Sequence, residues 1–265
     1  MSFGRIRKGS SAPYRPLWLE HLEDRILFSV LVLDSPTSLV PIQIGTTTSG
    51  GVTVKLNGVE TDYAPHQWDS VHVQLHASGI GVNATVVPTV IQGSAMFSPT
   101  VEVGDEHGLQ DIKAPLTVFG HLLLRLSDEG DAGDRIAILG LQNSYNGPRQ
   151  IVEGLAPAPI TYTADANMEI DITTGTGNNQ FSIDGTLPMP PQTPQVIGLA
   201  LRGHSDQVIV NAAASGTEID IPGGGTFDSV ELNYAKGTIS DQAFQEGCPD
   251  FGFLARLRRK LRFNT

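Results

Sequence analysis

After Asp34 the chain reads as short runs in which apolar and polar residues alternate, divided by turn-forming dipeptides. Val52-Thr-Val-Lys-Leu56 ends at Asn57-Gly58, the dipeptide that most favours a tight hairpin. Ser70-Val-His-Val-Gln-Leu75 puts Val71, Val73 and Leu75 on one face of a strand. Similar runs are Thr100–Val103, Leu116–Leu126, Arg135–Leu139, Ile160–Thr163, Glu169–Thr173, Gln180–Asp184, Val196–Leu201, Val208–Val210, Glu218–Ile221 and Val230–Leu232. No stretch of this body keeps a 3.6-residue apolar period. The pattern therefore predicts an all-β body over residues 35–247.

Five of these strands share an opening: Asp or Asn, a polar residue, then apolar-x-apolar. They are Asp69–Val73, Asp134–Ile138, Asn179–Ile183, Asp206–Val210 and Asp228–Leu232. Their spacings approximate whole multiples of about 22 residues, close to one coil of a parallel β-helix. A parallel β-solenoid is thus the expected architecture. The alternative is an antiparallel β-sandwich, which also spaces strands every ~8–12 residues and would use the Asn57-Gly58 hairpin.

Composition agrees with β structure: charged residues are 17% of the chain, with 29 Gly and 17 Pro. The net charge of −11 hides three regions. Before Leu17 stand Arg5, Arg7, Lys8 and Arg15 with no acid. Ile26 to Ala255 carries 7 basic and 25 acidic residues, and Arg256 to Arg262 carries 5 basic residues and no acid. An acidic body repels phosphate, which argues against nucleic acid as a partner. No run reaches the ~20 apolar residues of a membrane-spanning helix. The single Cys248 excludes an internal disulfide and reads as an inert thiol.

The N-terminus pairs a basic stretch with the apolar run Ile26–Leu33, but Glu20, Glu23 and Asp24 precede that run and no clean cleavage site follows. Arg15-Pro16-Leu17, Leu19-Glu20 and Leu22-Glu23-Asp24-Arg25-Ile26-Leu27-Phe28-Ser29 resemble the LEPR-XLL segment that opens many large exported proteins of planctomycete bacteria. The family pattern is Leu-Glu-Pro-Arg, any residue, Leu-Leu; Asp24 replaces its Pro and Phe28 its second Leu. Leu109–Val118 and Leu124–Ile138 are similar to the degenerate Gly/Asp repeats of these exoproteins, a likeness spanning roughly residues 50–235. The resemblance implies export or display at the cell surface, with cell-envelope components or other surface proteins as partners, and no particular chemistry. Residues 1–34 are accordingly expected as an export segment. A short N-terminal helix there would put Leu19, Leu22, Ile26 and Phe28 against the body. Residues 248–265 are expected as a basic tail, with a helix carrying Leu254, Leu257 and Leu261 on one face.

Candidate chemistry is sparse. Calcium needs six to eight oxygen ligands, and the best local cluster is Asp128, Glu129, Asp131 and Asp134 in a Gly-containing loop. That cluster lacks EF-hand spacing, and its plain reading is a solvated acidic loop. The turns Gly175–Asn179, Arg202–Asp206 and Gly223–Asp228 are eroded relatives of calcium-binding Gly/Asp turns. His72 and His76 would stand about 13 Å apart on one strand, too far for one metal, and with His66 they read as surface histidines. Asp105, Glu106 and His107 are adjacent in a turn and diverge. There is no Gly-x-Ser-x-Gly elbow, His-Glu-x-x-His motif or phosphate loop. The expectation is a structural or adhesive protein with no catalytic residue, cofactor or metal site. The alternatives are a carbohydrate-active enzyme on a β-helix and a calcium-stabilised binding module.

Overall fold

The computed structural model describes residues 30–34, 42–56, 58–75, 79–93, 99–145, 147–163, 169–189, 195–203, 205–222, 229–233, 238–241 and 258–264. In chain order the strands are β1 (Val30–Asp34), β2 (Ile42–Thr46), β3 (Val52–Leu56), β4 (Val59–Tyr63), β5 (Ser70–Gln74), β6 (Ile80–Val82) and β7 (Thr89–Gln92). Next come β8 (Thr100–Val103), β9 (Leu116–Phe119), β10 (Leu123–Ser127), β11 (Ile136–Ser144), β12 (Gly147–Glu153), β13 (Ile160–Tyr162) and β14 (Glu169–Thr173). The last are β15 (Gln180–Ile183), β16 (Gln195–Ala200), β17 (Gln207–Val210), β18 (Thr217–Pro222), β19 (Ser229–Leu232), β20 (Thr238–Asp241) and β21 (Arg258–Asn264). The described residues contain no helix, so none is long and apolar enough to cross a membrane.

The strands form two mixed sheets, mostly parallel. Sheet A has ten strands in the order β1-β5-β7-β9-β13-β12-β11-β15-β17-β19. Sheet B has eleven, ordered β20-β21-β18-β16-β14-β10-β8-β6-β2-β3-β4. From β5 to β10, and again from β14 to β19, successive strands alternate between the sheets. Each strand therefore meets its neighbour one full excursion later, and the ladder between them is parallel. A sandwich built of hairpins would instead show mainly antiparallel ladders.

Alternation sets the core. In sheet B, Val101, Leu124, Ile170, Ile197 and Ile219 are successive register partners, and all are buried. Val103, Leu126, Ile172 and Leu199 make a second such column. In sheet A, Val73, Ile91, Val118 and Tyr162 do the same. The inward side chains of both sheets join in one apolar core that reaches from Leu31 to Ile221. β-branched and aliphatic residues suit this pleated, fully covered surface.

Two insertions break the alternation. The β3–β4 hairpin closes with Leu56 opposite Val59, and Gly58 has φ of 77°, a conformation a side chain disfavours; Asn57 lies outside the described residues. In sheet A the chain makes three passes, β11, β12 and β13, before returning to sheet B at β14.

The repeat alignment holds in part. Gln180↔Gln207 and Gln207↔Ser229 are register partners, so the copies beginning at Asn179, Asp206 and Asp228 stack as aligned. The Asp134 copy is displaced by one residue: Ile136 pairs with Gln180 and Ala137 with Phe181. Ala137 and Leu139 face inward, whereas Ile136 is 70% exposed. β11 must also pair antiparallel with β12, and it runs on to Ser144 to do so. The run Leu116–Leu126 is two strands, β9 and β10, belonging to different sheets and separated by Gly120 at φ 96°.

The N-terminal helix lies outside the described residues, although Val30–Asp34, the end of the segment read as 1–34, is the first strand of sheet A. The C-terminal helix is corrected over its second half. Arg258–Asn264 is a strand, β21, antiparallel to β18. The edge of β18 offers a row of backbone partners that a short isolated helix in water cannot match. Residues 248–257 lie outside the described residues.

The register separates two neighbouring side chains energetically. Leu139→Ala is expected to lower unfolding free energy by about 2–5 kcal/mol, and Ile136→Ser by under ~0.5 kcal/mol, as read from urea denaturation. Equal losses would show that the one-residue displacement of β11 is wrong.

Candidate functional site

Two polar features interrupt the apolar stack, one on the outer face of sheet B and one at its corners. The outer feature grows from the middle residue of three apolar-x-apolar triplets: Val101-Glu102-Val103, Leu124-Arg125-Leu126 and Ile170-Asp171-Ile172. With their flanking residues turned inward, Glu102, Arg125 and Asp171 must face out, and the parallel register places them side by side. Arg125 Nη1 lies 3.4 Å from Glu102 Oε1, and Arg125 Nε lies 3.6 Å from Asp171 Oδ2. The next outward row holds the small residues Gly104, Ser127, Thr173 and Ala200. Together with Asp105 and Glu129 these rows line a cleft of about 590 Å³ across β8, β10, β14 and β16. Glu129 is held by Arg202 at 2.7 Å. The cleft is thus a shallow polar trough with most of its carboxylates tied to guanidinium groups. Its lining contains no aromatic ring on which a sugar could stack.

The corner feature is built from the loop that carried the calcium candidates. Asp128 is fully buried. Its Oδ1 accepts a hydrogen bond from the Leu109 N–H at 2.9 Å, and Oδ2 has no hydrogen-bond partner. Gly108, at φ 80°, lies so close that a Cβ there would sit 2.4 Å from Asp128 Oδ1. Burial pushes the Asp128 carboxyl up from its ordinary range, and the nearby Asp131 adds to this against the Leu109 hydrogen bond. Burial also pushes Asp131 up, but hydrogen bonds from Arg135 and the Gly133 N–H outweigh it and hold the group below its ordinary value.

Two of the eroded Gly/Asp turns, those at 175–179 and 202–206, stack beside this loop. The Asn178 N–H donates to Asp134 Oδ1 at 2.7 Å, and the Asn179 N–H donates to Asp206 Oδ1 at 2.7 Å. The Gly203 N–H donates to Asp206 Oδ2 at 2.9 Å, and the Thr174 hydroxyl reaches the same oxygen at 3.3 Å. These carboxylates satisfy turn N–H groups that strand ladders cannot reach. The sequence grouped Asp128, Glu129, Asp131 and Asp134 as one set; the fold sends each to a different partner. Among the described residues no group of three or more His, Cys, Asp or Glu is placed to hold a metal.

The remaining candidates stay apart. His72 lies exposed on the outer face of β5, and His66 sits in the turn after β4 with φ of 59°. His76, Cys248 and the turn 223–228 lie outside the described residues. Asp105 and Gly108 close a tight turn in which the His107 N–H donates to Asp105 Oδ1 at 2.7 Å. The Glu106 and His107 side chains project from it into solvent. Sequence reasoning missed one buried polar cluster. Gln195 Nε2 donates to Gln150 Oε1 and lies 3.4 Å from the Tyr162 hydroxyl, all three residues being fully buried. Gln150 Nε2 and Gln195 Oε1 have no hydrogen-bond partner. Burial pushes the Tyr162 hydroxyl well above its ordinary pKa.

No protein-family model matches the sequence, and neither a curated protein nor a solved structure gives a significant match.

Asp128 carries a pH signature. With its folded pKa raised, its contribution to stability is fullest below the unfolded value of 3.8 and is lost as pH rises through the folded value. Asp128→Asn removes that loss. The variant-minus-wild-type difference in melting temperature is expected to increase from pH 4 to pH 7, whatever the offset at pH 4. A difference that is flat or falls with pH would rule out a buried, proton-holding Asp128.

Proposed function

We propose that this chain is an exported, cell-surface β-solenoid acting as a structural or adhesive element, with no catalytic role. The observation that carries this reading is the return of successive strands to the same sheet in parallel register, which lines up outward side chains row upon row at about 4.8 Å. Such an array offers a long, repetitive, rigid surface, which suits contact with another polymer or protein better than turnover of a small substrate. Glu102, Arg125 and Asp171 are one such row. The LEPR-XLL-like residues 15–29 supply the reason to place the protein outside the cell. Cell-envelope components or other surface proteins are the partners this reading implies.

One observation favours a second reading, a carbohydrate-active site. Glu102 and Asp171 stand two strands apart, about 9.6 Å by strand spacing, near the upper end of the carboxylate separation of inverting glycosidases. Against it, Arg125 lies between them and pairs with both. The calcium-module reading gains nothing from the corner carboxylates, whose partners are backbone and side-chain donors.

Fractionation of the native organism followed by N-terminal sequencing tests the principal reading. The product is expected in the envelope or medium, and a full-length cytoplasmic protein would sink the export proposal. A thermal melt in calcium and then in chelator is expected to show one midpoint. An upward shift with calcium would restore the calcium module, because an ion bound only by the folded state must stabilise it.

A further inference from the structure

β18 is the last parallel strand of sheet B. On one side it pairs with β16, and on the other with β21, which in turn pairs with β20. The antiparallel register sets Arg262 opposite Glu218, Leu261 opposite Ile219 and Lys260 opposite Asp220. Both acidic positions of β18 thus meet a basic position of β21; Ile219 meets Leu261, while Ile221 meets Arg259 and Pro222 meets Arg258. Glu218 is only 7% exposed, although it precedes the inward Ile219 on the strand. A carboxylate covered to that degree requires a cationic or hydrogen-bonding partner, and the basic strand lies over the edge that Glu218 occupies.

The stack of sheet B leaves an edge that a further strand covers, whereas among the described residues sheet A ends at β19. Each strand of the parallel run presents on its far side the backbone groups that the next strand will use. The last one would leave them open, with a geometry already matched to a copy of its own kind. Repeat arrays require atypical terminal units for this reason. At the other end of sheet B the same place is taken by antiparallel β3 and β4, whose outer positions include Glu60 and Asp62. A parallel edge joining a foreign strand is a heterologous contact, which grows into open chains and does not close.

We propose that the basic C-terminal strand is a charge-registered cap on the β18 edge of sheet B, and that displacing it opens this edge to a second copy of the same chain. The cap is basic where the body is acidic, so its seating is electrostatic as well as backbone-paired, and salt weakens it.

Sedimentation velocity and amide hydrogen exchange on the full chain test this. The wild type is expected to be monomeric with β21 amides protected. Lys260→Glu with Arg262→Glu puts four acids together. It is expected to lower β21 protection roughly tenfold or more and to produce concentration-dependent oligomers. Adding Glu218→Lys and Asp220→Lys, which swaps the charges across the pair, is expected to restore both protection and the monomer. If the reversed variant stays monomeric, or keeps β21 protected, the proposal fails; a swapped variant that still associates defeats it equally. Should charge reversal also expose β10 and β14, the milder Arg262→Gln replaces it. Loss of protection confined to β21, with association at high concentration, supports the cap, and an unchanged profile overturns it.

Discussion

The structure depends on one constraint: a strand must match in register a strand one excursion away along the chain. The excursion from Gln180 to its partner Gln207 is longer than the one from Gln207 to its partner Ser229. Connection length is therefore free, and the inward column is not. Val101, Leu124, Ile170, Ile197 and Ile219 stack because a slip of one residue would turn an entire strand's apolar set outward. This is why insertions such as β3–β4 and β12–β13 are accommodated by extra antiparallel passes within a sheet and the core columns continue past them.

Polar groups are confined to what this constraint leaves over. Where the chain turns from one sheet to the other, ladders end and N–H groups need acceptors. Asp134 and Asp206 supply them, each accepting from a turn one excursion away. Among the recurring Asp and Asn before the strands, Asp134, Asn179 and Asp206 are therefore corner residues with a structural task. Asp128 does the same at Leu109 with one oxygen, and burial leaves the other costly to ionise. Gln150, Gln195 and Tyr162 show the opposite case, in which inward positions are polar and satisfy one another only in part.

How much of this was legible follows from which residues report on both strand faces. β5, β8, β14 and β15 could be read because each alternates with β-branched or aliphatic residues on the covered face. β4 escaped because Val59-Glu-Thr-Asp-Tyr63 is exposed nearly throughout and owes its strand to β3. β7 follows Pro88 and β12 opens with Gly147-Pro148, both turn signals that pairing overrides. The Asp134 copy misled by one residue because Ile136 and Ile138 offer a better apolar pair than Ala137 and Leu139, and only the register shows which pair faces inward. The outer row of the cleft was present in the sequence as the middle residues of three triplets. What was hidden was that those triplets are neighbours. The parallel partners of Arg125 are Glu102 on one side and Asp171 on the other, and both are remote along the chain, Asp171 the more so. The buried glutamines gave no signal at all, because Gln in an alternating run reads as an outward residue.

The charge distribution belongs to the same logic. An acidic body with basic residues gathered before Leu17 and after Ala255 looks at first like an accident of termini. Along the stack, however, acids occur on outward rows and at corners, where water or a turn N–H stabilises them. Two rows reach the end of sheet B with an acid at their last position, through Asp171, Gly198 and Asp220 and through Glu169, Val196 and Glu218. A strand placed there with more acid would repel them, and a neutral one would add no attraction. A basic strand meets both demands, and its antiparallel direction denies the next copy a parallel edge of the same kind. Parallel stacking thus determines the shape of the body and, through the edge it leaves, the chemistry of the segment that ends it.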